Sequence, residues 1–360
     1  MKPKTLDWQI AAVFIGTVIG AGFASGQELM QFFIRFGIKG LFGACVTGVS
    51  FAILGGLIIY ITSLKGFHTY KEFLTWKLGP QLTGIIDIII LAFLFMGFCV
   101  MLSGSGTLFE EHLGISKIIG IIITDALVIM ALMARHEGVL WFNTILIPLL
   151  VAILILVSLL SLFSTTAVNQ GSAFDPFAGS LVVDNWFLSS LLYIAYNMIS
   201  VLVVLTALTA DQNGMSAWGG VIGGFILLVI SLVIVAALLA AGQSVYTYQI
   251  PMLYLAYQVS PIIFYFYGIV LWGAMITTAV ADAYGLCQRL GYTWRLPYNL
   301  VLLIISILSI PLAMYDFTLL VSKVYPVFGI LGLFIMMYFW TKGFQYLWQV
   351  ICYQLKRLFF

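Results

Sequence analysis

The sequence predicts an all-α, polytopic membrane protein of ten transmembrane helices, and three observations carry that expectation. The 360-residue chain is 63% hydrophobic and only 8% charged, with a mean hydropathy of +1.14, a composition foreign to soluble globular domains. Its apolar residues fall into stretches of roughly membrane-spanning length, separated by turn and charge signals. The first stretch is interrupted by Gly16, Gly20, Gly22 and Gly26, and glycine is a poor helix former.

In chain order the expected spans are residues 8–35, 40–63, 82–109, 115–134, 139–163, 185–210, 215–241, 260–288, 297–314 and 317–341. The breaks carry Gly37 and Gly40, Lys65-Gly66, Gly79-Pro80, Glu110-Glu111-His112, Arg135-His136-Glu137, segment 169–184, Asp211-Gln212-Asn213-Gly214, segment 289–297 and Tyr315-Asp316. The basic start Met1-Lys2-Pro3-Lys4 precedes an apolar run too long for a signal-peptide core and without a clean cleavage site. It therefore reads as a retained first span. Segments 67–78 and 249–257 read as short interfacial helices on opposite sides, with aromatics at headgroup level. Residues 1–342 are expected to form one transmembrane domain, and 343–360 an amphipathic tail on the membrane surface. A net charge of +2 gives no reason to expect nucleic acid as a partner. Cys45, Cys99, Cys287 and Cys352 lie mostly in apolar runs and show no metal spacing.

Basic residues orient the spans. With the N-terminus inside, eleven gather on one side: Lys2, Lys4, Lys65, Lys71, Lys77, Arg135, Arg289, Arg295, Lys342, Lys356 and Arg357. Arg35, Lys39, Lys117 and Lys323 make four on the other, which accounts for all fifteen. Both termini are expected in the cytoplasm and the chain in the cell inner membrane. Ten spans divide into five and five, and an odd number per half inverts the second half, giving repeats of about 8–163 and 185–341. The sixth span, which opens the second half, should then be broken like the first. Asn197 and Ser200 place polar groups near its centre, though without a glycine. Asn197 could equally bond a neighbouring helix.

Unwound backbone at membrane depth survives only where protein, water or a ligand satisfies it. A glycine-interrupted span therefore points to a transporter's binding site; the plainer alternative is close approach of a neighbouring helix. A dinucleotide loop is disfavoured, because Gly20-x-Gly22-x-x-x-Gly26 misses that fingerprint by one residue. Charges inside spans are functional candidates by default. Glu28 follows the break closely enough to be either a helix cap or a partner for a cationic group or proton. Together with Ala21, Gly22, Phe23, Ala24 and Ser25 at the break, and Tyr196 and Asn197 opposite, it makes a candidate substrate site.

Asp282 shares a helix face with Thr278, four residues earlier, and is a gate or proton candidate along with Lys323. Asp7 and Arg289 could pair across an inner gate or simply face water. Asp87, near a span end, reads as wet, and Asp125 as more central. An enzyme is not expected: no nucleophile stands with a base, and His68, His112 and His136 fall in predicted loops. No catalytic residue or cofactor is assigned.

With Gly16-Thr17-Val18-Ile19-Gly20-Ala21-Gly22-Phe23 as its most specific motif, the chain resembles the amino acid–polyamine–organocation superfamily. Within it, the resemblance is to the YkvI-like bacterial membrane proteins. It implies the leucine-transporter fold over essentially the whole chain, and secondary transport of an amino acid, amine or related solute by alternating access. It also implies a Na+ coupling ion on the carbonyls of Gly16, Ile19 and Ala274 and the hydroxyls of Thr277 and Thr278. The fifth span has no lysine to take the ion's place, which favours Na+ over H+ coupling. Two departures mark this chain: Tyr196-Asn197 stands where the sixth-span break usually has glycine, and Glu28 is an added charge. A ligand-sensing receptor on the same fold is the alternative class.

Overall fold

The computed structural model describes residues 5–67, 69–133, 137–164, 177, 180–208, 217–334 and 336–337. The tail at 343–360 and most of segment 169–184 lie outside them. Every regular element is helical among the described residues. The order is α1 (Thr5–Val18), α2 (Ala21–Ala24), α3 (Gln27–Phe32), α4 (Ile38–Lys65), α5 (Tyr70–Leu113), α6 (Lys117–Met133), α7 (Glu137–Ser164), α8 (Trp186–Leu208) and α9 (Trp218–Ala241). Then come α10 (Pro251–Val259), α11 (Pro261–Trp294) and α12 (Tyr298–Ala313), and α13 (Phe317–Phe334). Among the described residues, seven helices are long and apolar enough to cross a bilayer. The expected first, fourth and ninth spans are shorter: α1 has 14 residues, α6 has 17 and α12 has 16.

The first expected span is broken twice. Gly20 is extended (φ −82°, ψ −176°) and Gly26 left-handed (φ 81°), leaving α2 as a single turn between them. The sixth span differs from expectation: α8 runs unbroken through 193–200. It contains neither glycine nor proline, and Asn197 Nδ2 donates to the Tyr193 carbonyl one turn back (3.0 Å). The Asn197 amide is therefore satisfied inside the helix and gives the backbone no reason to open.

Around the break, α1 packs on α8 and α9, and α4 packs on the same two helices. The α4–α9 contact is close because a Cβ on Gly224 would run into the Ala52 backbone, the small-residue packing that membrane helices use. A second group places α5 against α6, α11 and α12. Residues 70–78 form a short helix set off from the rest of α5 at Gly79 (φ 77°), just before Pro80. That helix and α10 are the two short helices expected from the aromatic loops. His112 belongs to the last turn of α5, not to a loop.

Candidate functional site

At the first break, the Gly20 N–H donates to the Val18 carbonyl (2.9 Å), where a continuous helix would use Gly16. At the second, Ser25 Oγ donates to the Gly22 carbonyl (2.9 Å) and accepts from the Gln27 N–H (3.2 Å). The capping task expected of Glu28 thus falls to Ser25. Two other helices hold the segment. The Tyr267 hydroxyl of α11 donates to the Ala24 carbonyl, and the Met252 N–H of α10 donates to the Ser25 carbonyl (3.0 Å).

Freed from capping, Glu28 folds back over Gly22, whose Cα its carboxylate covers so closely that a Cβ there would strike Oε1. Its Oε2 accepts hydrogen bonds from Tyr196 (2.6 Å) and Tyr193 (3.2 Å). Glu28 is 5% exposed. Tyr196 stacks on Tyr325 of α13 (4.9 Å between centroids, 14°). Ala21, Gly22, Phe23, Ala24 and Ser25 are all buried, as is Asn197, whose amide is spent on its own helix. Tyr193 and Tyr325 are new members of the cluster. Tyr193 had a signal, since it stands three residues before Tyr196 on the same face; Tyr325, far away in sequence, had none.

Of the α11 residues expected around Na+, Thr278 stands nearest the first break. A Cβ on Gly20 would stand 4.0 Å from Thr278 Oγ1, so α11 backs the first break. Thr277 Oγ1 donates to the Ala274 carbonyl (3.1 Å). Gly16 is packed against Ile147 of α7, and Ile19 is buried.

The gate candidates separate. Arg289 pairs with Asp87, not with a surface solvent shell. The other Asp87 oxygen accepts from the Tyr70 hydroxyl (2.7 Å), and Lys71 Nζ stands 3.8 Å from the oxygen that Arg289 holds. Asp87 is thus buried and paired rather than wet. Burial, and the carboxylate beside it, hold the Tyr70 phenol well above its usual range. Asp7 is also buried, which corrects the surface alternative. Lys323 is exposed and lies outside this buried cluster. Asp282 is half-buried on α11. Asp125 is buried, and its Oδ1 has no hydrogen-bond partner among the described residues.

No family profile matches the chain. Three solved transporters share its fold. A Na+-coupled sialic acid symporter matches with a TM-score of 0.62 and 14% identity, over 86% of this chain and 72% of its own. MhsT, solved with L-phenylalanine, matches at 0.59 and 14%, over 91% and 87%. Inward-facing Mhp1 matches at 0.58 and 13%, over 85% and 69%. The fold is therefore the leucine-transporter fold. In sequence, the chain is 30% identical over 329 residues to the uncharacterized membrane protein YkvI of Bacillus subtilis, covering 90% of this chain and 92% of that one. YyaD of the same organism is 27% identical over 337 residues, covering 92% and 94%. The chain belongs to the YkvI family of multi-pass bacterial membrane proteins.

Proposed function

We propose that this chain is a secondary active transporter that moves a small solute with an amino or other cationic group by alternating access. The carrying observation is Glu28, a carboxylate buried at the broken helix and hydrogen-bonded, among the described residues, by the neutral phenols of Tyr193 and Tyr196. Buried charge inside a membrane span is costly without a counter-charge, and an ammonium group would supply one. Glu28, Tyr196 and the backbone of Ala21, Gly22, Phe23, Ala24 and Ser25 would line the solute; Asn197 would support them from behind.

The reading takes 1–342 as one domain of ten crossings, in inverted halves of about 8–163 and 185–341. The mutual packing of α1, α4, α8 and α9 supports it, since the first two crossings of each half meet the first two of the other. The coupling ion is Na+, held by the carbonyls of Gly16, Ile19 and Ala274 with Thr277 and Thr278. The break beside Thr278 and the rerouted Gly20 bond favour this. Arg289 would serve the inner gate through Asp87. The chain lies in the cell inner membrane with both termini cytoplasmic.

The test is calorimetry of the purified chain with amines. Glu28→Gln keeps the shape and should weaken binding by roughly 1.5–3 kcal/mol, the range for a hydrogen bond to a charged group. Unchanged affinity overturns the assignment. Na+, but not K+, should raise thermal stability with concentration, and Thr278→Val should abolish that rise.

A further inference from the structure

We propose that the Glu28 site takes a ligand bearing two positively charged groups joined by an apolar chain, the second group being held by Asp282. This rests on Glu28 as an ammonium partner and extends it to a substrate class. Asp282 lies one turn beyond Thr278, on the face that meets the first break. Its carboxylate meets Gly97 of α5 through one oxygen: a Cβ there would stand 2.6 Å from Oδ2, 3.3 Å from Cγ and 3.7 Å from Oδ1. Glu28 is seated in the same way on Gly22. Two carboxylates are thus accommodated by two glycines, on two different helices.

An aromatic wall joins them. Tyr325 is stacked on Tyr196, whose hydroxyl donates to Glu28. Phe93, one turn before Gly97, lies 6.5 Å from the Tyr196 ring and 5.1 Å from that of Phe328. Aromatic faces attract ammonium groups and also pack well against alkyl chains.

Of the described basic side chains, Arg35 is engaged with Asp184, Lys117 with the Tyr315 carbonyl, Arg289 and Lys71 with Asp87, and Lys65 with the Trp76 ring, while Lys39 is exposed. Lys323 is exposed. A doubly cationic ligand would supply a counter-charge to each carboxylate. A carboxylate on the ligand gains little at the second break. There the N–H groups of Ser25, Gly26 and Gln27 already donate to Ala21 O, Phe23 O and Ser25 Oγ.

The experiment is calorimetry on the purified full chain with the α,ω-diamines from propane-1,3-diamine to octane-1,8-diamine, beside the n-alkylamines of equal length. One diamine should bind about tenfold or more tightly than its monoamine, the gain from one further charge-assisted contact. Asp282→Asn should reduce that diamine to the monoamine's affinity and leave the monoamine unchanged. Gly97→Ala, which keeps the charge but removes its seat, should weaken the diamine alone. Asp282→Glu should move the optimum to a shorter diamine, an effect that a merely misfolded variant would not produce. Diamines no tighter than monoamines, or equal losses for both in Asp282→Asn, overturn the second pole while Glu28 stands. If no amine binds, or Glu28→Gln binds amines as the wild type does, the Glu28 reading fails and takes this inference with it.

Discussion

Glu28 and Asp87 are both buried carboxylates, one beside the broken first helix and one in α5, and they are stabilised in opposite ways. Asp87 has its counter-charge built in: Arg289 pairs with one oxygen, Lys71 stands nearby, and Tyr70 donates to the other. Glu28 has hydrogen bonds but no counter-charge among those contacts. A complete ion pair ties helices together and has nothing left to offer a ligand. A carboxylate held only by neutral donors keeps its charge available. Of the two, Asp87 is read as a strut between α5 and α11, and Glu28 as a recognition group.

Replacing each carboxylate by its amide sharpens this contrast most. Asp87→Asn should cost about 1.5–3 kcal/mol of stability, because it strips Arg289 of its partner; the partial exposure of Arg289 keeps the loss below that of a fully buried pair. Glu28→Gln should cost under about 1 kcal/mol without ligand, since an amide still accepts from the phenols. Thermal unfolding in detergent gives both values, and equal losses would erase the distinction. Within the Glu28 cluster, Tyr196→Phe should destabilise by about 1–1.5 kcal/mol and Tyr193→Phe by about half that, following the shorter and longer hydrogen bonds. The reverse order would mean that the 3.2 Å contact is the one that matters. The smallest perturbation tests sidedness: from outside intact cells, a thiol reagent should reach Ser172→Cys and not Lys71→Cys, with little change in stability for either. The opposite pattern would place the Asp87 cluster at the outer face.

Most of the architecture was legible because membrane helices advertise themselves by length and hydropathy. The four glycines marked the broken helix for the same local reason. The sixth helix was misread: Asn197 signalled a polar need, but whether that need is met within the helix depends on a side-chain rotamer. Nor could the sequence tell what Glu28 meets, as its phenol partners lie 165 and 168 residues away. Asp87 finds Arg289 at a separation of 202. A place inside a span could be read from pattern for Glu28, whereas Asp87 read as wet; the pairing of both depended on how distant helices came together.

The single-turn helix α2 has a consequence for the timescale on which this part of the chain opens. Four residues are too few to repay helix nucleation, so α2 keeps its shape through its surroundings, among them Tyr267, Met252 and the packing of Glu28 on Gly22. Its two return bonds, from the Ala24 and Ser25 amides to the Gly20 and Ala21 carbonyls, can be lost together without disturbing α1 or α3. In deuterium these two amides should therefore exchange through a small local opening, long before those in the middle of α4, whose release requires separating α4 from α9.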